Sequence, residues 1–221
     1  MSVWSRSNAR AFGDRHEAGI ALAGLLQGYS RRNDVVVLAL PRGGVPVAYE
    51  VASALHLPLD VFSVRKLGVP GHSELAMGAI ASGGVQVLND EVLAWYRPSA
   101  DMVEAVARVE LRELERRERL YREGRPLILV EGRTVILVDD GLATGSTMRA
   151  AVRAVRALHA GSVIVAAPVG APDTCSAMRD EADEVVCALM PDHFTAVGAW
   201  YLDFSETTDD EVRRLLHAVP S

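Results

Sequence analysis

The sequence predicts an α/β protein with a doubly wound, mainly parallel sheet flanked by helices. Short strands alternate with amphipathic helices along the chain, and several strands are continuously apolar, as in sheets covered on both faces. Right-handed crossovers would bring the loops that follow the strands to one carboxyl edge. The 221 residues suffice for one such domain, with a core over about 35–190, an N-terminal helix over 14–29 and a tail over 191–221.

In the first half of the chain, the apolar pattern places two helices, two strands and a hairpin. Asp14 is suited to cap the first helix, and Gly28 weakens its end. The segment from Gly68 to Ser73 is rich in Gly, Pro and His, which predicts a mobile loop. The predicted elements are a helix at 14–29, a strand at 35–40, a helix ending at Leu55, a strand at 59–66, and a hairpin of 76–81 with 85–88.

The second half contains one long predicted helix, from Ser99 to about Gly124, with a strongly charged face. Several pairs on this face have Glu four residues before Arg, among them Glu118 with Arg122, and this order predicts a solvated surface. Alternatively, the helix could serve as a lid or as a homodimer contact. Thr208 begins a capping-box pattern for the last helix. The other predicted elements are a strand ending before Asp139, a helix at 145–159, a strand at 162–169, a helix after Pro172, a strand at 184–190 and a helix at 208–218.

Composition and charge argue against a nucleic-acid or membrane partner. Hydrophobic residues make up 49% of the chain and charged residues 24%, and a net charge of −6 with a pI near 5.5 leaves no free basic tract. The N-terminus has no apolar leader and no stretch approaches the ~20 apolar residues of a membrane span, so we expect a cytoplasmic protein. Cys175 and Cys187 have neither zinc-site nor disulfide-framework spacing.

The most informative stretch runs from Val135 to Thr147 and reads VILVDDGLATGST. An apolar strand ends in two carboxylates, Asp139 and Asp140, at the edge where α/β proteins bind ligands. Glycines allow a tight turn, and hydroxyls follow beside the N–H groups of the next helix, which predicts a phosphate-binding turn. The lysine of a Walker loop is missing. The two acids could accept hydrogen bonds from vicinal hydroxyls, and the turn beside them could bind a terminal phosphate. This combination fits a ribose 5-phosphate better than a nucleoside triphosphate.

This stretch resembles the signature of the type I phosphoribosyltransferases: a hydrophobic strand, two acids, two variable positions, Ala or Asp, then Thr-Gly-(Ser/Thr/Gly)-Thr. The resemblance spans about 35–190 and implies the fold of that family, with a small hood. It implies that Asp139 and Asp140 bind the ribose hydroxyls and contact Mg²⁺ directly or through water, while substrate oxygens hold most of the ion. The implied donor-binding residues are Asp139, Asp140, Gly141, Leu142, Ala143, Thr144, Gly145, Ser146 and Thr147, the last four on the 5-phosphate.

Two further polar segments are expected at the same edge. Pro41-Arg42-Gly43-Gly44 follows the first strand, and by resemblance it is the loop that binds pyrophosphate, which in this family often contains a strained or cis peptide. Its guanidinium suits phosphate, and its glycines allow close approach. Arg65 and Lys66 end the next predicted strand and would act on the leaving pyrophosphate. His72, in the following loop, is a candidate for proton transfer, although a solvated histidine is the more ordinary reading.

The resemblance implies an Mg²⁺-dependent transfer of the phosphoribosyl group of phosphoribosyl pyrophosphate to a nucleobase-like nitrogen acceptor, with release of pyrophosphate. Ala143 stands where some purine enzymes carry Asp, which argues against a 6-oxopurine acceptor that relies on such a base. Phe194, Trp200 and Tyr201 could stack on a planar acceptor, or they could close the core beneath the last helix. Two alternatives stay open: a regulatory protein that binds phosphoribosyl pyrophosphate without turnover, and a hydrolase of a phosphorylated sugar.

Overall fold

The computed structural model describes residues 10–219, without the side chains of Ser73 and Glu74. Five parallel strands form its centre: β1 (Val35–Ala39), β2 (Leu59–Val61), β6 (Thr134–Val138), β7 (Ser162–Val169) and β8 (Glu184–Leu189). They lie in the order β2-β1-β6-β7-β8. The predicted parallel sheet is thus confirmed, and the winding direction reverses between β1 and β6.

Helices cover both faces of this sheet and bury two apolar layers. Every residue of β1 and β6 is buried, because alternate side chains enter opposite layers. On one face lie α1 (Arg15–Leu25), α2 (Gly44–Leu55) and α7 (Asp209–Ala218), and on the other lie α5 (Ser146–Ala157) and α6 (Pro172–Met178). This two-sided packing leaves the ends of the strands as the polar part of the sheet.

The chain leaves the parallel sheet after Val61, which corrects the single strand predicted at 59–66. Phe62 is buried in the core, and the backbone N–H of Ser63 donates to Oγ of Ser82 at 2.7 Å. The next strand therefore starts a second sheet, although the apolar pattern runs on without a break. This antiparallel sheet contains β3 (Val64–Val69), β4 (His72–Ala81) and β5 (Val85–Leu88).

The predicted hairpin of 76–81 with 85–88 is confirmed as β4 and β5. The prediction of a loop from Gly68 to Ser73 is wrong. These residues belong to the ends of β3 and β4, which are joined by a tight turn at Pro70 and Gly71. Gly71 has a φ of +80°, which a tight turn needs and glycine permits. Hairpin turns and mobile loops share this composition. The mobility of the hairpin tip stays a prediction.

The long helix is confirmed as α4 (Ala100–Arg122), and a shorter helix that was not predicted, α3 (Asp90–Tyr96), precedes it. The charged face of α4 is only partly solvated, which corrects the prediction. The side chain of Arg122 is 7% exposed, and its guanidinium lies 2.9 Å from both Asp60 and Glu118. A buried cation requires such partners. The C-terminal end of α4 is therefore anchored to β2 by a buried ion-pair network.

The predicted helix caps are confirmed. Asp14 accepts a hydrogen bond from the N–H of Glu17 at 2.8 Å, and Thr208 accepts one from the N–H of Glu211 at 3.1 Å. The first helix is shorter than predicted, because a 3-10 turn over Gln27–Tyr29 follows its end. Within the described residues, no helix combines the length and the apolar character that crossing a membrane requires.

Candidate functional site

Two loops meet at the carboxyl edge of the sheet, where the winding direction reverses between β1 and β6. The first follows β1, covers residues 41–43 and leads into Gly44 at the start of α2, and the second follows β6 and covers residues 139–145. The register pairs Ala39 with Val138, so both loops start side by side. Open α/β sheets bind ligands at this type of position.

The glycines of the first loop lie against the second loop with no space for a side chain. A Cβ atom on Gly43 would lie 2.0 Å from Oδ2 of Asp140, and one on Gly44 would lie 2.7 Å from the carbonyl oxygen of Val138. The peptide bond between Pro41 and Arg42 is cis, as the resemblance implies. Glycine is therefore required here by close approach rather than by backbone conformation.

The acidic pair of the second loop is held by hydrogen bonds within the loop and from two distant segments. Oδ1 of Asp139 accepts from the backbone N–H of Asp140 at 2.9 Å. Nε of Arg15 donates to Oδ2 of Asp140 at 2.9 Å, and the hydroxyl of Tyr201 donates to the carbonyl oxygen of Asp140 at 2.6 Å. The N-terminal helix and the tail thus both reach the acidic pair, and the loop of Gly43 packs against it.

The electrostatics of this pair favour a positively charged ligand or hydroxyl donors. Burial, followed by the negative charge of Asp140, raises the pKa of Asp139 well above its usual range. Burial also raises the pKa of Asp140, although the nearby Arg15 acts to lower it. Burial and the Asp140 charge raise the pKa of Tyr201, which keeps its hydroxyl protonated as a donor. A cation near the pair would favour the ionised form of both acids.

The turn after the acidic pair is anchored by hydrogen bonds to the end of β7 and to α6. The N–H of Leu142 donates to the carbonyl oxygen of Val169, and the N–H of Ala171 donates back to Leu142, each at 2.9 Å. Oγ1 of Thr174 donates to the carbonyl oxygen of Ala143 at 2.6 Å. These bonds fix the backbone of the turn without using the hydroxyl side chains that follow it.

Those hydroxyls lie at the exposed start of α5. Thr144, Ser146 and Thr147 are exposed, and the hydroxyl oxygens of Thr144 and Ser146 are 3.2 Å apart. Gly145 is buried between them with a φ of +70°, a conformation that turns the chain into the helix. Free N–H groups at a helix start, together with converging hydroxyls, form a favourable site for a phosphate group.

Arg42 is partly exposed to solvent and is paired with carboxylates of the tail. Its guanidinium forms an ion pair with Glu206, and Nη1 lies 3.8 Å from Oδ1 of Asp209. Asp209 in turn accepts a hydrogen bond from the hydroxyl of Tyr121 at 2.7 Å. An anion that binds Arg42 must therefore compete with two carboxylates of the tail.

Arg65 and Lys66 belong to β3 and face opposite sides of the antiparallel sheet, as neighbours on a strand do. Nε of Arg65 donates to Glu110 on α4 at 2.5 Å. Lys66 is exposed, and it lines a cavity of about 620 Å³ together with Ser146 and Thr147. Of the two cations, the structure brings Lys66 to the predicted phosphate-binding turn. Lys66 lies on a strand, as predicted, but this strand belongs to the second, antiparallel sheet.

The chain matches a known protein family over most of its length. A family model described as "Phosphoribosyl transferase domain" matches residues 9–205. The chain belongs to the phosphoribosyltransferase family. Over 203 residues it is 50% identical to a Mycobacterium tuberculosis protein named "Putative phosphoribosyl transferase Rv0571c", a match that covers 92% of this chain and 46% of that protein. The chain thus spans about half the length of the curated relatives it matches.

Two solved structures are similar to this chain. TT1426 from Thermus thermophilus has a TM-score of 0.84 and 42% identity, covering 96% of this chain and 100% of that one. AQ2163 from Aquifex aeolicus has a TM-score of 0.50 at 12% identity over 93% of this chain and 86% of that one, a likeness of fold alone. The fold class is the predicted one, a mainly parallel sheet flanked by helices, with a small antiparallel sheet beside it.

The aromatic residues proposed for the acceptor lie in the tail of this phosphoribosyltransferase. Tyr201 is 6% exposed, and its ring centroid lies 5.9 Å from that of Phe12 and 5.1 Å from that of Phe204. Phe194 and Trp200 pack against the same cluster. For Tyr201 this geometry favours the core-closing reading over stacking on an acceptor. Its hydroxyl, rather than its ring, reaches the site.

Other site features differ from what the sequence suggested for a phosphoribosyltransferase. His72 is exposed at the hairpin, with its ring centroid 6.4 Å from that of Tyr96, and it does not line the cavity beside the turn at 144–147. Arg15 was missed altogether. A basic residue in the first turn of a helix is disfavoured by the helix dipole, and this is a signal that could have indicated a tertiary role.

Proposed function

We propose that the protein is an Mg²⁺-dependent phosphoribosyltransferase, which transfers the 5-phosphoribosyl group of phosphoribosyl pyrophosphate to a nucleobase-like nitrogen acceptor and releases pyrophosphate. One observation carries the proposal: the glycine loop after β1 packs against Asp140, beside an anchored phosphate-binding turn. Membership of the phosphoribosyltransferase family supports a transferase. The acceptor is a small molecule in this proposal.

Each part of the donor has a matching group in the site. Asp139 and Asp140 accept hydrogen bonds from the ribose hydroxyls, and the turn of Thr144 to Thr147 binds the 5-phosphate. Arg42 and Lys66 bind the pyrophosphate, on which negative charge grows as the bond to the anomeric carbon breaks. Charged donors fixed in advance at such a position stabilise the transition state more than the ground state.

The acidic pair fits a magnesium ion that is shared with the substrate. Among the residues described, no group of three or more His, Cys, Asp or Glu side chains comes together to hold a metal. Mg²⁺ prefers oxygen ligands, keeps several waters and is usually bound through one or two carboxylates plus substrate phosphates. Asp139 and Asp140 would supply these carboxylates, directly or through water. When bound, the ion would neutralise charge on the pyrophosphate.

A screen for pyrophosphate release tests the reaction. The protein is incubated with phosphoribosyl pyrophosphate, Mg²⁺ and a panel of nucleobases and related nitrogen heterocycles. Asp139→Asn with Asp140→Asn should strongly weaken ribose 5-phosphate binding and abolish turnover while the protein remains folded; the affinity that remains is that of the 5-phosphate for the turn at 144–147. Asp34→Asn, at an exposed ion pair, is the control. Unchanged affinity of the double variant for ribose 5-phosphate would remove the basis of the proposal.

Substitutions on β3 and in the glycine loop test the pyrophosphate assignment. Arg42→Gln and Lys66→Gln should each lower turnover about 10²- to 10³-fold, as the loss of one preorganised donor does. Ribose 5-phosphate affinity should change much less, because this ligand lacks the pyrophosphate. Arg65→Gln should have the smaller effect of the two β3 substitutions, since Arg65 pairs with α4. Equal effects of the two would contradict the assignment of Lys66, rather than Arg65, to the pyrophosphate.

The second candidate is a regulatory protein that binds phosphoribosyl pyrophosphate without turnover. It is favoured by the ion pairs of Arg42 with Glu206 and near Asp209, which occupy the cation that catalysis would need. Hydrogen exchange over residues 65–74, with and without phosphoribosyl pyrophosphate and Mg²⁺, distinguishes the two. An enzyme must close over the site to exclude water, so the hairpin should gain protection. Binding without new protection, and without pyrophosphate release in the screen, would favour the regulatory protein.

A further inference from the structure

The N-terminal helix lies outside the signature stretch, yet it sends one side chain to the acidic pair. Arg15 is the first residue of α1, and its side chain is only 11% exposed. Its Nε donates to Oδ2 of Asp140 at 2.9 Å, and its Nη1 donates to the carbonyl oxygen of Ser205 at 2.8 Å. The helix dipole disfavours a cation at the first position of a helix. The contacts of Arg15 with distant residues must therefore offset this unfavourable interaction.

The tail fixes the orientation of this guanidinium. Its central carbon lies 3.9 Å from the centroid of the Phe204 ring, which is a cation–π contact. The guanidinium is a rigid plane, so the ring on its face and Ser205 at its edge together determine where Nε points. Arg15 is therefore held in one orientation, with Nε directed at Asp140.

The carboxylate of Asp140 is confined on its other side by the glycine loop. A Cβ atom on Gly43 would lie 2.0 Å from Oδ2, so this oxygen has backbone on one side and Arg15 as its donor. Among residues 10–219, the only side-chain donor to the carboxylate is Arg15, which binds Oδ2. Oδ1 is left as the acceptor for a ligand.

We infer that Arg15 is a positioning residue for the donor: it holds Asp140 so that Oδ1 accepts from a ribose hydroxyl, and it does not itself touch the sugar. The inference rests on the proposed function, because it requires Asp140 to bind ribose. Arg15 also offsets the repulsion between two adjacent carboxylates. Without it, the Asp140 side chain is free to turn away from the orientation that ribose requires.

Two ligands distinguish positioning from a general structural role. Ribose 5-phosphate and inorganic phosphate are titrated by calorimetry, with Mg²⁺, into the parent and its variants. Arg15→Gln should weaken ribose 5-phosphate about 10- to 100-fold, the usual effect of losing a group that orients a ligating residue. Inorganic phosphate needs only the turn at 144–147, so its affinity should not change. Arg15→Lys should recover part of the lost ribose 5-phosphate affinity, because lysine keeps the positive charge but lacks the planar guanidinium with its several fixed donors.

The control is Arg32→Gln, which removes an arginine that pairs with Asp34 at the surface and should leave both affinities unchanged. A double-mutant cycle then tests whether Arg15 acts through Asp140. In an Asp140→Asn background, Arg15→Gln should cause no further loss of ribose 5-phosphate affinity, whereas independent effects would add. If Arg15→Gln does not fold, the folded Arg15→Lys variant decides: it must bind ribose 5-phosphate more weakly than the parent and phosphate equally well.

The outcomes separate this inference from the proposed function. If the parent binds no ribose 5-phosphate, the proposed function fails and the inference fails with it. If the parent binds it, but the Arg15 variants match the parent, or the effects of Arg15 and Asp140 add, only the inference is overturned. Selective loss of ribose 5-phosphate affinity, absent from the Asp140→Asn background, supports it.

Discussion

Replacing Gly43 by alanine should damage ligand binding far more than folding. Gly43 has φ of −59° and ψ of −33°, which alanine adopts without strain. The added Cβ would lie 2.0 Å from Oδ2 of Asp140, whereas carbon–oxygen contacts are normally about 3.3 Å or longer. The carboxylate must therefore move by about 1.3 Å. A displacement of that size at a binding group costs roughly 10²-fold.

The cost to stability should be smaller, because the atom in the way is the end of a side chain. The moved carboxylate loses its hydrogen bond from Arg15, a charged contact worth about 1.5–3 kcal/mol. Gly44→Ala differs, since its Cβ would meet the backbone of Val138 at 2.7 Å and should destabilise the fold itself. The matched control is Gly24→Ala on α1, where the added Cβ would have no atom within 4 Å. This substitution should raise the free energy of unfolding by about 0.5–1 kcal/mol.

Calorimetric titration with ribose 5-phosphate and urea unfolding are the two measurements. We expect Gly43→Ala to remain folded and to lose about 100-fold in affinity, while Gly24→Ala keeps the affinity of the parent. Parental affinity in a folded Gly43→Ala variant would refute the argument, because it would mean that the position of Asp140 does not matter for ribose binding.

Three further changes test other parts of the structure. Crystals grown in sulfate should show an anion at the turn of residues 144–147; an empty turn with anions bound elsewhere would contradict the phosphate assignment. Glu206→Gln with Asp209→Asn should free Arg42 and tighten pyrophosphate binding by up to about fivefold, since exposed pairs are worth ~1 kcal/mol or less; unchanged affinity in calorimetry would show no competition. Arg122→Met should lower the free energy of unfolding by about 3–5 kcal/mol, because it leaves buried carboxylates unpaired, and a loss below ~1 kcal/mol in urea titration would show that they relax to solvent.

The parallel sheet was predictable because its strands carry their own signal. Val35–Ala39 and Val135–Val138 are apolar at every position, a pattern that fits strands buried on both faces. The stretch that ends in Thr147 also placed the acidic pair and the turn correctly at the sheet edge. These features depend on residues that are close together in the sequence, so they could be predicted from one sequence alone.

The contacts that complete the site are not local, and for that reason the sequence did not reveal them. Arg15 reaches Asp140 across 125 positions, and Tyr201 reaches it across 61. Which of Arg65 and Lys66 faces the site depends on the chain leaving one sheet for another after Val61, a change that polarity patterns do not mark. Alternation on a strand then decides which of the two cations can meet a ligand.

The pairing of β1 with β6 has a consequence for how mutations would be distributed. The two loops touch only because Ala39 lies opposite Val138, and a slip of one residue would separate them by about 3.3 Å. Buried apolar residues of the two strands thus set the geometry of binding. A random library selected for retained solubility but lost ribose 5-phosphate binding should therefore be enriched in small repacking changes along β1 and β6, as well as in the polar residues of the loops.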